Sequence, residues 1–81
     1  MELAWSRHSR DMMEERGIEE EWVLRAVQGP DKVQEHPDGS RSYLKAVVEV
    51  GGRYLRVVVN PAVSPNRVIT VYFDKRLGRK A

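Results

Sequence analysis

Tyr43-Leu44-Lys45-Ala46-Val47-Val48-Glu49-Val50-Gly51-Gly52-Arg53-Tyr54-Leu55-Arg56-Val57-Val58-Val59-Asn60 is the stretch that decides the fold. Two runs rich in β-branched residues, Tyr43–Val50 and Arg53–Asn60, flank Gly51-Gly52. Glycine reaches positive φ without a Cβ clash, so a Gly-Gly pair between such runs predicts a two-residue hairpin turn. That turn sets Val50 opposite Arg53, Val48 opposite Leu55, Ala46 opposite Val57 and Leu44 opposite Val59. Side chains of a strand alternate faces. One face of the hairpin then carries Leu44, Ala46, Val48, Leu55, Val57 and Val59. The other carries Tyr43, Lys45, Val47, Glu49, Tyr54, Arg56, Val58 and Asn60. A slip by one residue would mix the two sets, so the pattern favours this register.

A third run, Arg67–Lys75, extends the apolar face with Ile69, Val71 and Phe73 and the other with Val68, Thr70, Tyr72 and Asp74. Between the second and third runs, Pro61 and Pro65 exclude regular ladder pairing. Upstream, Asp31–His36 reads as a weaker strand, and Pro37-Asp38-Gly39-Ser40 as a four-residue turn. This places His36 opposite Arg41, Gln34 opposite Tyr43, and Val33 opposite Leu44 on the apolar face.

The N-terminal third reads as helical. After a short apolar start at Leu3-Ala4-Trp5, suited to an edge strand, Ser6 is a candidate N-cap and Gly17 a C-terminal stop. His8 and Met12 share one stripe of this helix, and Ser9 and Met13 the next. Ile18 leads into a second helix whose Glu19-Glu20-Glu21 suits the positive end of the helix dipole. Trp22, Val23, Ala26 and Val27 form its apolar stripe, and Gly29-Pro30 ends it. The predicted class is α+β, in the order (β)ααββββ: two N-terminal helices on one face of a four- to five-stranded antiparallel sheet. Residues 1–81 form one domain, with residues 75–81 expected as a basic C-terminal tail free to be disordered.

Cysteine is absent, which excludes a disulfide frame and a thiolate zinc site. No apolar run is long enough for a membrane span, and no apolar segment follows a basic start, so a cytoplasmic location is expected. Charge is uneven along the chain. Residues 1–36 carry five Lys or Arg against nine Asp or Glu, a net −4; residues 37–81 carry nine against three, a net +6. This asymmetry favours an anionic partner for the sheet half, nucleic acid the commonest candidate, against a solvated surface whose basic residues balance the acidic helices.

On the expected uncovered face, Arg41, Tyr43, Lys45, Tyr54, Arg56, Thr70, Tyr72 and His36 interleave aromatics with cations. Aromatic rings stack on bases and cations neutralise phosphate. The competing reading is an ordinary solvated face, because tyrosine is common in strands.

Ser6-Arg7-His8-Ser9 leading to Arg16-Gly17-Ile18, followed by an acidic second helix, resembles a family of small uncharacterised bacterial domains. Gly29-Pro30-Asp31 stands where that family has Asn-Pro-Asp, and Arg53–Val59 and Val68–Asp74 resemble its hairpin and closing strands. The resemblance spans nearly the whole chain. In order and size the family is distantly similar to RelE and BrnT type toxins, small ribonucleases whose sheets carry the RNA-cleaving residues. This implies a two-layer sandwich and a metal-independent endoribonuclease.

Such chemistry needs a base for the 2′-OH, an acid for the leaving oxygen and a cation for the phosphate. Lys45, Arg56 and Tyr72 are the candidates for acid and cation, and Tyr43, Tyr54, Arg41 and His36 for RNA contact. The base is unassigned unless His8 or His36 supplies it. His8 fits better as a structural hydrogen-bonding residue of the first helical turn. Trp22 is expected in the core, and Gly51 and Gly52 in the turn. No metal, cofactor, DNA or membrane partner is expected. The alternatives are a non-catalytic module that binds an antitoxin-like protein or a second copy of itself, and a site for a small anion.

Overall fold

The structure, a computed structural model, describes residues 2–79. Five strands, β1 (Leu3–Trp5), β2 (Lys32–Glu35), β3 (Arg41–Val47), β4 (Arg53–Asn60) and β5 (Asn66–Phe73), form one sheet in the order β1-β5-β4-β3-β2. Helices α1 (Arg7–Arg16) and α2 (Glu20–Gln28) lie between β1 and β2 in sequence. The α+β class and the element order agree with the sequence reading. The sheet is mixed rather than antiparallel, because β1 runs parallel to β5. No helix among the described residues is long and apolar enough to cross a membrane.

Local chemistry explains the helices. The Ser6 hydroxyl accepts from the Ser9 N–H at 3.0 Å and donates to the Ile69 carbonyl at 3.2 Å, so one side chain caps α1 and ties it to β5. Gly17 ends α1 at φ 65°, and its neighbour Ile18 donates to the Met13 carbonyl at 2.8 Å. Trp22, Val23, Ala26 and Val27 of α2 are all buried, and the Trp22 ring lies 6.4 Å from that of Phe73. With Met13 and Ile18 they close over Leu55, Val57, Val59, Val68 and Val71.

The pairing of β3 with β4 departs from the sequence reading by three residues. Val47 lies opposite Arg53, Lys45 opposite Leu55, Tyr43 opposite Val57 and Arg41 opposite Val59. The connection is not a two-residue turn. Val48–Val50 winds into a 3-10 turn, and Gly51 and Gly52 follow it at φ 72° and 79°. Gly52 donates to the Val47 carbonyl at 3.0 Å, closing the loop there. The glycines are needed as expected, but at the end of a longer loop. An odd shift exchanges the two faces of β3. Tyr43 and Val47 therefore enter the core, and Leu44 and Ser42 move to the opposite face.

Two smaller shifts accompany this one. The β2–β3 pairing is offset by one residue from expectation, with Gln34 opposite Ser42 and Val33 opposite Tyr43. Val33 thus has the helix-side parity but stays 45 % exposed at the sheet edge. In β5, Val58 pairs with Thr70 and Val59 with Val68, leaving Ile69 as a bulge residue. Val68 is therefore fully buried in the core while Ile69 is exposed, the reverse of the alternation expected for that strand.

The basic C-terminal segment is part of the fold as far as Arg79. Asp74 caps a 3-10 turn at Lys75–Leu77, and Arg79 forms an antiparallel bridge with Arg53. Lys80 and Ala81 lie outside the described residues.

Candidate functional site

The sheet face away from the helices is a grid of cross-strand partners. One row runs Thr70, Val58, Ser42, Gln34; the next runs Tyr72, Arg56, Leu44, Lys32. Tyr54 and Ala46 continue it toward the hairpin. The C-terminal turn folds against this face, so it is less open than the sequence predicts. A cleft of about 470 Å³ results, lined by Gln34, His36, Ser42, Arg56, Val58, Tyr72, Asp74, Arg76 and Leu77.

A charged network forms one wall. Arg56 donates from Nε to Asp74 Oδ2 at 2.9 Å and from Nη1 to Gln34 Oε1 at 2.7 Å, and its Nη2 lies 2.8 Å from the same Asp74 oxygen. Arg76 donates its backbone N–H and its Nε to Asp74 Oδ1, at 3.0 and 3.1 Å. Its Nη2 donates to Asp74 Oδ2 at 3.0 Å. Hydrogen bonds from Arg76, reinforced by those from Arg56, hold the Asp74 carboxyl well below the usual carboxylate range against the opposing effect of burial. Arg56 and Asp74 are buried, but the Arg76 side chain is 78 % exposed and reaches solvent at the cleft.

His36 and Ser42 occupy the cleft. His36 Nε2 lies 2.7 Å from the Ser42 hydroxyl. The turn that places His36 is tied twice: its N–H donates to the Ser40 carbonyl at 3.0 Å, and Gly39 donates back to its carbonyl at 3.0 Å. Asp38 accepts from the Ser40 hydroxyl at 2.7 Å and from the Ser40 N–H at 2.9 Å, which lowers its carboxyl pKa. At the β5 edge, His8 Nε2 lies 3.3 Å from the Thr70 hydroxyl, linking α1 to the same grid row. The α1 cap itself is Ser6, so His8 joins helix to strand rather than closing the first turn.

The structure separates the expected site residues into two groups. Arg56, Tyr72 and His36 share the cleft, and Tyr54 stands on the same face beside Leu44 and Leu77. Lys45, Tyr43 and Arg41 have the opposite parity because of the register shift in β3. Tyr43 is buried beneath the helices, and its hydroxyl accepts from Arg41 Nη1 at 3.4 Å. Arg41 also pairs with Glu35, and Lys45 with Asp31 at 3.7 Å. Gln34, Ser42, Asp74 and Arg76 were not singled out from sequence as site residues. Asp74 and Arg76 carried a signal, an acid and a base two apart at a strand end. Ser42 carried none, since its face depends on the β3 register.

The class these observations define is a small α+β domain with a polar cleft on the uncovered side of its sheet. Residues 5–73 match the family described as a domain of unknown function, DUF4258, and the chain belongs to that family. No curated protein and no solved structure matches it.

Proposed function

We propose that the chain is a cytoplasmic, toxin-like RNA-binding module that cleaves RNA in the open-face cleft without a metal ion. The observation that carries this reading is the convergence of His36, Tyr72 and the solvent-reaching Arg76 on one cleft. Arg76 is the cation for the phosphate. Arg56 is committed to Asp74 and Gln34 and holds the wall in place. The resemblance in element order and size to RelE and BrnT type toxins, read from the sequence, supports the reading by analogy alone.

In the proposed step, a ring nitrogen of His36 takes the proton of a ribose 2′-OH. The 2′-oxygen bonds to phosphorus, and the bond from phosphorus to the 5′-oxygen breaks. The Tyr72 hydroxyl protonates that leaving oxygen, giving a 2′,3′-cyclic phosphate and a 5′-OH end. A proton then returns from imidazolium to tyrosinate through water. The Arg76 guanidinium offsets the charge on the phosphoryl oxygens.

Incubating the protein with single-stranded RNA in EDTA tests this. The expected products carry cyclic phosphate and 5′-OH ends, and His36→Ala should lower the rate by about 10²-fold or more. Salt-sensitive binding without cleavage would reduce the function to RNA binding. The absence of both binding and cleavage would overturn it.

A second reading, a protein-interaction module, is favoured by the free edge of β2 and the exposed Val33 beside it. It predicts a stable complex with a small antitoxin-like protein or a second copy, lost on Val33→Lys. A monomer that captures no partner would remove it.

A further inference from the structure

We infer that a second pocket, on the helix side of the C-terminal turn, is an anion site built for a phosphoryl group. Its volume is about 420 Å³, and its walls include Arg53, Phe73, Lys75 and Arg79. Arg53 and Arg79 are bridge partners on antiparallel segments, so their side chains leave the sheet on the same face. Like charges placed directly opposite repel and destabilise the pairing unless a counter-charge is supplied. Lys75 adds a third cation to the same wall.

The chain itself supplies no neutralising group among the described residues. No acidic side chain among the described residues pairs with Arg53, Lys75 or Arg79, nor with Arg7, Arg16 or Arg67, and what sets the first three apart is that they line one pocket. Asp74 borders the pocket, but its oxygens are engaged by Arg56 and Arg76. The Arg53 guanidinium is held 4.1 Å from the centre of the Phe73 ring, which orients its donor edge. Arg79 Nη1 stands 3.6 Å from the position a Cβ on Gly51 would take. Two planar guanidinium groups and an ammonium suit the several oxygens of a phosphoryl group better than a lone carboxylate.

The pocket and the open-face cleft share Asp74, with the turn Lys75–Leu77 between them. A strand lying over that turn would meet Arg76 on one side and Lys75 with Arg79 on the other. RNA as the source of the phosphate rests on the proposed function; the phosphoryl site itself does not.

The test follows the melting temperature of the full chain in inorganic phosphate, in 5′-AMP and in chloride of equal ionic strength. A short RNA is titrated over a range of salt in parallel. In the wild type, phosphate and 5′-AMP should raise the melting temperature above the chloride value, and Lys75→Ala with Arg79→Ala should abolish that rise. Arg79→Glu, which sets a carboxylate opposite Arg53, should melt no lower than wild type at low salt and ignore phosphate. For RNA, the double variant should flatten the slope of log K against log salt by about 1.4, two contacts at about 0.7 each. Phosphate and RNA responses both unchanged in the double variant overturn the site, as does a wild type that answers to neither ligand. A phosphate response that the double variant loses, without RNA binding, sustains the site and removes the RNA reading. A changed RNA slope without a response to free phosphate or 5′-AMP assigns the site to the RNA strand.

Discussion

Beneath the helices, Leu55, Val57, Val59, Val68 and Val71 are fully buried in an apolar layer. Across the same sheet, Arg56, Asp74 and Ser42 are also buried, and every buried side-chain nitrogen or oxygen among the described residues has a partner. The first layer is stabilised by removing apolar surface from water, about 1.5–3 kcal/mol for each large side chain. The second gains little net energy, because desolvating the charges costs roughly what their pairing returns. What the polar layer does instead is place Gln34, His36, Tyr72 and Arg76 around one cleft. Damage should therefore leave a cavity on one side of the sheet and an unpaired charge on the other.

Trp22→Ala should give the largest effect, a loss of about 4 kcal/mol in denaturant unfolding, because the hole against Phe73 cannot refill. Unchanged stability would show that the layer under the helices does not depend on that ring. Arg56→Ala should follow at about 3 kcal/mol, since it leaves Asp74 buried with Arg76 as its remaining ion-pair partner. A loss below about 0.5 kcal/mol would mean that the polar layer is solvated and the contrast between the faces is false.

The third prediction concerns pH. The folded Asp74 carboxyl titrates below its ordinary value of 3.8, so protonation favours the unfolded chain. Its contribution should be complete above about pH 4 to 5 and should fade as pH falls from there toward the folded value. Asp74→Asn should flatten the acid limb of the stability curve while lowering stability at neutral pH. An acid limb of unchanged slope would contradict the assignment. Glu49 provides the smallest effect. Its carboxyl is held at about 2 by hydrogen bonding to Arg25, yet the pair is solvent-exposed. Glu49→Gln should cost little, and 1 M salt should remove the difference from wild type.

Some of this architecture was legible because its causes are local. Ser6 and Gly17 bound α1 by capping chemistry, and the α2 stripe needed only a period of 3.6. The helix-side positions of β4 were also plain, since Leu55, Val57 and Val59 alternate with Tyr54, Arg56 and Asn60 apart from Val58. β3 offered no such guide. Tyr43 and Val47 on one parity compete with Leu44, Ala46 and Val48 on the other. Gly51-Gly52 fits the end of a 3-10 turn as well as it fits a tight hairpin. In β5, Ile69 supports simple alternation, but the contacts of Ser6 with Val68 and Ile69 accompany a bulge that alternation does not predict.

The candidate site divides the same way. His36, Arg56 and Tyr72 were picked out by residue type, and the cleft contains all three. Lys45, Tyr43 and Arg41 were grouped with them through a register that the fold does not adopt. Caps, helix periods, positive-φ glycines and the alternation of β4 are written in neighbouring residues, and the chain alone determined them. Which face of β3 meets the helices depends on pairing between segments whose side chains suit either choice. Only tertiary packing decided it, by burying Tyr43 and Val47 on the side of the sheet that α2 covers and leaving Ser42 to meet His36 beside Arg56.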